Sequence, residues 1–354
     1  MVLFVSFSLT GCTTYIKDKN GSPVKEPTTG QTLAKNILCQ PRDKDVLKTY
    51  KKYKINIDKL PTCPKFKLSS GKYHGLWETL FIKPLSYIII QIGKILGNYG
   101  LSIIVVTLLI RFILFPFSKK SVMQSENMKK AQKDLNKLEK KYRGQENDRD
   151  AQMRKGQEMM AIYKKYDINP AGGCLFAFIQ LPLFFAFLES LNRLPIVFEG
   201  EFLGLNLGMS PFVKIFGSSF SFDKLFSCFG NGSFVYLILP VLVCLSTYFS
   251  FKVNSNSGGN DEQQQQMKTM MNVMLVFIVF TSFTMPTSII LYWVTGSLFT
   301  IVQAEMIRRM KNGSTSSKKW IKEWGRGIKQ VFGRVKCKFR WGILLCRFWN
   351  VRII

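Results

Sequence analysis

Apolar residues fall along this chain in blocks long enough to cross a bilayer, separated by segments rich in lysine and arginine. The first clear block is LSIIVVTLLIRFILFPF, residues 101–117. As a helix it reaches about 26 Å, close to a hydrocarbon core of about 30 Å. A second block, 171–189, carries Gln180 and Pro182, and a third covers 234–251. The apolar region from Met270 to Val302 is too long for one crossing, and Met285-Pro286 divides it, because proline breaks a helix interior. The pattern predicts an all-α membrane protein with five transmembrane helices: 101–117, 171–189, 234–251, 269–285 and 286–304. Ahead of them, residues 77–99 are helical and two-faced. Leu85, Ile88, Ile89, Ile92, Ile95 and Leu96 oppose a stripe of Lys83, Gln91, Lys94 and Asn98, which predicts an amphipathic helix lying in the membrane interface.

The polar segments have patterns of their own. Between the first two spans, Met128, Ala131, Leu135, Leu138 and Tyr142 step by three and four, Gly144 and Asn147 offer a turn, and Met153, Met160, Tyr163 and Tyr166 follow along one side. A cytoplasmic helical hairpin over 119–168 is expected. Its apolar face has three possible partners: itself, the membrane, or an incoming chain, for which methionine is well suited. Residues 1–12, MVLFVSFSLTGC, resemble a lipoprotein signal ending at a lipid-modified Cys12, although the usual charged start is missing. An ordinary cleaved signal with an unmodified cysteine is the alternative. Residues 13–76 are lysine-rich with turn formers and no sustained apolar period, and read as an extended or loosely folded extracytoplasmic tether. In the tail, 311–354, Trp320, Trp324, Ile328, Val331 and Val335 fall at helical spacing among basic residues. That suits an anionic surface, either lipid or ribosomal RNA, with a solvated tail as the plainer reading.

Charge sets the orientation. The formal net charge is +28 although 47% of residues are hydrophobic, a pairing natural to apolar spans joined by basic loops. Segment 119–170 holds 14 basic and 8 acidic residues, 305–354 holds 14 and 2, and 191–232 holds 3 of each. With five spans the first two share a side, so the positive-inside trend puts the N-terminus outside a bacterial cell membrane and the C-terminus in the cytoplasm. The single histidine, His74, precedes the spans, which leaves no His-dependent triad or two-His metal motif within them. The eight cysteines include no CxxC; Cys39 and Cys63 lie where pairing is open to them in an oxidising exterior, and sequence leaves that undecided. No metal or cofactor site and no enzymatic chemistry are expected.

Arg111 stands inside the first span, about 10 Å from its cytoplasmic boundary at 1.5 Å per residue. An arginine costs roughly 2.5–3.5 kcal/mol near a span centre. Either it snorkels to the inner headgroups or it faces a water-filled groove among the helices. Thr107 lies one turn earlier on the same face, Gln180 is central in the second span, and Thr287, Ser288, Thr295, Ser297 and Thr300 line the fifth. No carboxylate is placed centrally in these spans to neutralise the arginine.

Three stretches resemble the membrane core of the YidC/Oxa/Alb insertase family: NYGLSIIVVTLLIRFILFPF (98–117), INPAGGCLFAFIQLPLFFAFLESL (168–191) and MPTSIILYWVTGSLFTIVQ (285–303). The likeness covers about residues 77–310, and the lipobox and five-span layout resemble Gram-positive-type members. It implies a membrane protein insertase and chaperone whose hydrophilic groove opens to the cytoplasm and to lipid. The family's groove arginine maps to Arg111, its polar span-two residue to Gln180 and its aromatic span-five residue to Trp293. The implied partners are nascent membrane proteins, membrane lipids, the ribosome through the basic tail, and the Sec translocon. A small-anion transporter using Arg111 is the alternative; it favours an internal repeat, and none is visible. The long basic tail and the weak signal start depart from the family pattern.

Overall fold

The computed structural model describes residues 13–26, 28–71, 75–145, 147–217, 221–230, 232–255, 262–311, 336–340 and 343–347. The lipobox with Cys12 and the helically spaced tail positions Trp320, Trp324, Ile328, Val331 and Val335 lie outside the described residues. The elements run α1 (Lys44–Lys52), a π-helical turn (Glu78–Ile82), α2 (Lys83–Leu96), α3 (Tyr99–Ile113), α4 (Phe115–Tyr142), α5 (Arg149–Lys165), α6 (Pro170–Asn192) and α7 (Pro195–Phe198). They continue with the short antiparallel pair β1 (Glu201–Phe202) and β2 (Leu205–Asn206), then α8 (Pro211–Phe216), α9 (Phe222–Gly230), α10 (Val235–Ser255), α11 (Glu262–Ser282) and α12 (Thr287–Lys311). In the tail, β3 (Lys336–Arg340) pairs antiparallel with β4 (Ile343–Arg347). The chain divides after Ile301 into two compact units.

The fold is mostly helical, and the helices end where local chemistry ends them. Gly97 caps α2 in the left-handed region at φ 66°, and the Asn98 side chain then accepts from the Leu101 amide to start α3. The reversal is tight. A β-carbon on Gly93 would come within 2.4 Å of the Tyr99 ring, and Ser102 Oγ donates to the Ile89 carbonyl at 2.6 Å. Small residues here let two backbones approach. At the other end, α3 stops at Ile113 rather than at 117. Pro116 has no amide for the continuing ladder, and α4 leaves at 65° to α3.

Among the described residues three helices are long and apolar enough to cross a membrane, Glu78–Leu96, Val235–Val253 and Thr287–Arg309, and the bent pair α3 and α4 would make a fourth. A shorter apolar helix covers Thr269–Ser282. The first of these helices is the one the sequence pattern placed in the interface. The two-faced reading misplaced Lys83, which is 6% exposed and lies 3.6 Å from Glu78. Ile88, Ile95 and Leu96, assigned to the apolar face, are exposed, while Leu85, Ile89 and Ile90 are buried. On α10 and α11, Val241, Leu245, Val273, Val276, Phe277 and Phe280 are all exposed, an apolar surface that water would penalise and acyl chains would not.

The main core gathers Ile82, Ile89, Ile103, Val106, Phe187, Leu191, Leu194, Leu207 and Tyr292, from the π-helical turn, α2, α3, α6, α12 and the residues just after α6 and β2. A second cluster joins Ile215, Tyr236, Val243, Ile278 and Ile290. Two expectations need correction. Residues 13–71 are not an extended tether: Ile16, Leu33, Ala34, Ile37, Tyr50 and Ile57 form a core of their own, the Tyr50 hydroxyl donates to the Ala34 carbonyl at 2.7 Å, and Cys39 is disulfide-bonded to Cys63. On α5, Met153 and Met160 are exposed. The side that meets Leu138 and Tyr142 of α4 is instead Ala151, Met159 and Ile162, with ion pairs Lys141–Glu158 at 2.6 Å and Lys165–Asp134 at 2.7 Å.

Candidate functional site: a span arginine and its neighbours

The apolar stretch of α3 carries Arg111 to a point facing both α6 and α12. Its Nη1 donates to Oε1 of Gln180 at 3.1 Å. Gln180 also hydrogen-bonds the Tyr292 side chain on α12. One helical turn beyond Tyr292, Gly296 leaves the space that the guanidinium fills. Arg111 is partly buried, and no carboxylate among the described residues is paired with it. Its charge therefore meets a neutral amide and whatever the partly open side admits.

Of the other expected groove residues, Trp293 lies on α12 beside Tyr292, but its Nε1 donates to Thr247 Oγ1 of α10 at 3.0 Å. Its ring meets Phe184 of α6 edge-on at 5.3 Å. Thr107 is 1% exposed and its hydroxyl returns to the Ile103 carbonyl at 2.6 Å. That is a helix-internal bond, so Thr107 presents no free polar group beside Arg111. The structure thus joins Arg111 to Gln180, sets Trp293 on an adjoining surface, and turns Thr107 inward. Of the expected fifth-span hydroxyls, Thr287 bonds the Met209 carbonyl at 2.8 Å and Thr300 bonds the Gly296 carbonyl at 2.8 Å.

Sequence reasoning missed two neighbours, Tyr292 and Gly296. Their spacing of four on LYWVTGS puts them on one helix face, but Trp293 drew attention first, and a glycine carries no chemistry to notice. It also missed a second polar cluster toward the far end of α6. Arg193 Nη2 reaches Glu78 at 2.6 Å and Nη1 reaches Glu189 at 3.2 Å, Nε donates to the Asn36 carbonyl at 2.6 Å, and Trp77 Nε1 donates to Glu189 at 3.0 Å. With Lys83 beside Glu78, the cluster holds matched charges, none more than 6% exposed. The signal was legible as a Glu189–Arg193 pair at i, i+4, but Glu189 closed the expected span while Arg193 was counted with the loop after it.

Comparison with known proteins places this arrangement in context. Residues 91–315 match the family model described as 60Kd inner membrane protein. A bacterial relative from Alkalihalophilus pseudofirmus, named a membrane protein insertase YidC, is 36% identical over 236 residues, covering 66% of this chain and 82% of its own length. The membrane protein insertase MisCA of Bacillus subtilis is 32% identical over 233 residues, 66% of this chain and 79% of its own. One from Oceanobacillus iheyensis, also named a membrane protein insertase YidC, is 30% identical over 240 residues, 66% of this chain and 84% of its own. Among solved structures, an active YidC insertase crystal structure with the first transmembrane domain resolved covers 73% of this chain and 51% of that one, at a TM-score of 0.44 and 20% identity.

Proposed function

Because the chain belongs to the YidC/Oxa/Alb insertase family, we propose that it inserts membrane proteins, receiving a client's hydrophilic end at Arg111 and releasing its apolar segments into lipid. The observation that carries this is a partly buried guanidinium held by a neutral amide, with no carboxylate paired to it among the described residues. A purely structural arginine at that depth would be expected to have a carboxylate, as Arg193 has two. An uncompensated one attracts an anionic group strongly: at an effective dielectric constant of about 20, two unit charges 4 Å apart gain about 4 kcal/mol.

The mechanism is physical and has three steps. The client's short acidic end is drawn toward Arg111, and Gln180 replaces part of its lost hydration. The first apolar segment then slides past the aromatic side chains of Phe184 and Trp293, which meet edge-on at the crossing of α6 and α12. Burial of about 20 apolar residues in lipid supplies the driving force, at about 25 cal/mol per Å² removed from water, so no nucleotide is required. We propose that the groove opens toward the cytoplasm, with the N-terminal module on the opposite side and the α4–α5 pair beside its mouth. The basic tail, 311–354, would serve the ribosome, Cys12 would carry a lipid, and the Sec translocon would be an accessory partner.

An insertion assay with the purified full chain in liposomes tests the reading. With an acidic-tailed client, Arg111→Ala is expected to lose about tenfold or more in yield, since one such charge contact is worth at least about 1.4 kcal/mol. Arg111→Lys should retain part of it, because an ammonium keeps the charge and loses the fork that meets Gln180. Wild-type yields from both variants across several acidic-tailed clients would sink the proposal.

A further inference from the structure

The Arg111 guanidinium rests against a place where α12 has no side chain. A β-carbon built on Gly296 would stand 2.7 Å from Arg111 Nη2, and 3.5 Å from both Cζ and Nε. The three nearest atoms all belong to the guanidinium. One turn back on the same face, Tyr292 is 6% exposed and stacked on Phe187 at a centroid distance of 4.0 Å, so its hydroxyl is fixed. Tyr292 and Gln180 are joined by a side-chain hydrogen bond, and the Gln180 oxygen accepts from Arg111 Nη1. A second partner on the amide restricts how far it can turn away from Arg111.

We infer that Gly296 and Tyr292 are positioning residues that fix where Arg111 presents its charge, Gly296 as the seat of the guanidinium and Tyr292 as the lock on Gln180. This rests on the reading of Arg111 given above. Gly296 is not simply a small residue allowing two helices to close. A helix-packing glycine meets the neighbour's backbone or the stem of its side chain, and a methyl there forces the helices apart. Here the three atoms nearest the methyl are all at the end of a long flexible side chain. The helices stay where they are and the guanidinium moves, by a distance large enough to leave Gln180. Displacement of a positioned charge by about 1 Å costs up to about a hundredfold in processes that depend on placement.

The test is a double-mutant cycle in the full chain, reconstituted in liposomes with an acidic-tailed client and melted in parallel in detergent. Gly296→Ala is expected to lower insertion about tenfold while the melting midpoint stays within about 2 °C of wild type. In an Arg111→Ala background the same change should cost nothing further, because there is no guanidinium left to displace. Gly296→Ala combined with Arg111→Lys should insert as well as Arg111→Lys alone, since an ammonium has no Nη2 to meet the methyl. Tyr292→Phe should show a smaller loss, likewise absent without Arg111. Equal losses in both backgrounds, or a Gly296→Ala variant that inserts like wild type, overturn the inference. If Arg111→Ala inserts normally, the reading of Arg111 falls and this falls with it. A loss in Arg111→Ala alone removes only the roles of Gly296 and Tyr292.

Discussion

Arg111 and Arg193 show how the same residue type serves two ends in one chain. Arg193 is 2% exposed and uses every edge of its guanidinium: Nη2 on Glu78, Nη1 on Glu189 and Nε on the Asn36 carbonyl. Such a cluster is neutral as a whole, and taking out one member strands the others in a medium that solvates charge poorly. Breaking a buried pair this way costs roughly 3–5 kcal/mol. Arg193→Met is therefore expected to lower the melting midpoint of the detergent-solubilised chain by many degrees. Arg193→Lys should fall between the two, because an ammonium cannot reach three partners in three directions. If Arg193→Met melts with wild type, the cluster contributes no net stability. At this scale the chain was partly legible. Arg111 and Gln180 stand out as polar letters within apolar blocks. Thr107 misled, since its hydroxyl is consumed by its own helix, and Gly296 was invisible because its contribution is an empty space.

Helices α2, α3, α6 and α10 to α12 follow from apolar blocks, α4 and α5 from apolar residues stepping by three and four, with a proline at 116 and a capping Asn98, all of which act locally. The N-terminal module does not, because its order comes from isolated bridges and from a core that joins them to α1, with no regular period to announce it. Bridges pair Tyr15 with Ala34, Lys17 with Pro23 and Lys25 with Thr32, and these set Ile16 and Leu33 over Tyr50 of α1 without any regular period. Its docking also depends on a partner some 157 residues away: Glu199 Oε1 accepts from the amides of Arg42 at 2.7 Å and Asp43 at 3.1 Å, at the start of α1. The other oxygen, Oε2, is buried without a donor among the described residues. Burial raises the Glu199 carboxyl above its ordinary 4.5, more than the two amides lower it. An acid raised on folding favours the folded form while it holds its proton. Its contribution is then greatest below about 4.5 and declines as pH climbs through the raised value. Protection of the Arg42 and Asp43 amides, taken relative to the intrinsic exchange rate at each pH, should fall across that window, and Glu199→Gln, which buries no charge, should flatten the dependence. An unchanged pH profile in Glu199→Gln would assign the effect to another group.

Across the molecule, the N-terminal module and the helical core share one packed interior. Leu38, Cys39, Cys63 and Phe66 belong to the same cluster as Ile82, Leu85, Leu191 and Leu194, and the Leu38 amide donates to the Arg193 carbonyl at 3.0 Å. The disulfide, with both sulfurs in residues no more than 1% exposed, therefore crosslinks the module at the place where it meets the helices. Sequence left this pairing open because spacing alone says nothing of where two cysteines meet. Closing a loop between residues 24 apart removes freedom chiefly from the unfolded chain, typically worth about 2–4 kcal/mol. The helices have their own buried contacts and need no such help. The expected result of Cys39→Ala with Cys63→Ala is thus uneven: cleavage by added protease within residues 13–71 becomes much faster, while the helical circular dichroism of the full chain is preserved. Limited proteolysis with fragment masses, run beside the melt, reads both at once. If the segment stays as resistant as wild type, the Arg193 and Glu199 contacts hold the module unaided. If helical signal is lost with it, the module is a required part of the bundle rather than a domain seated on it.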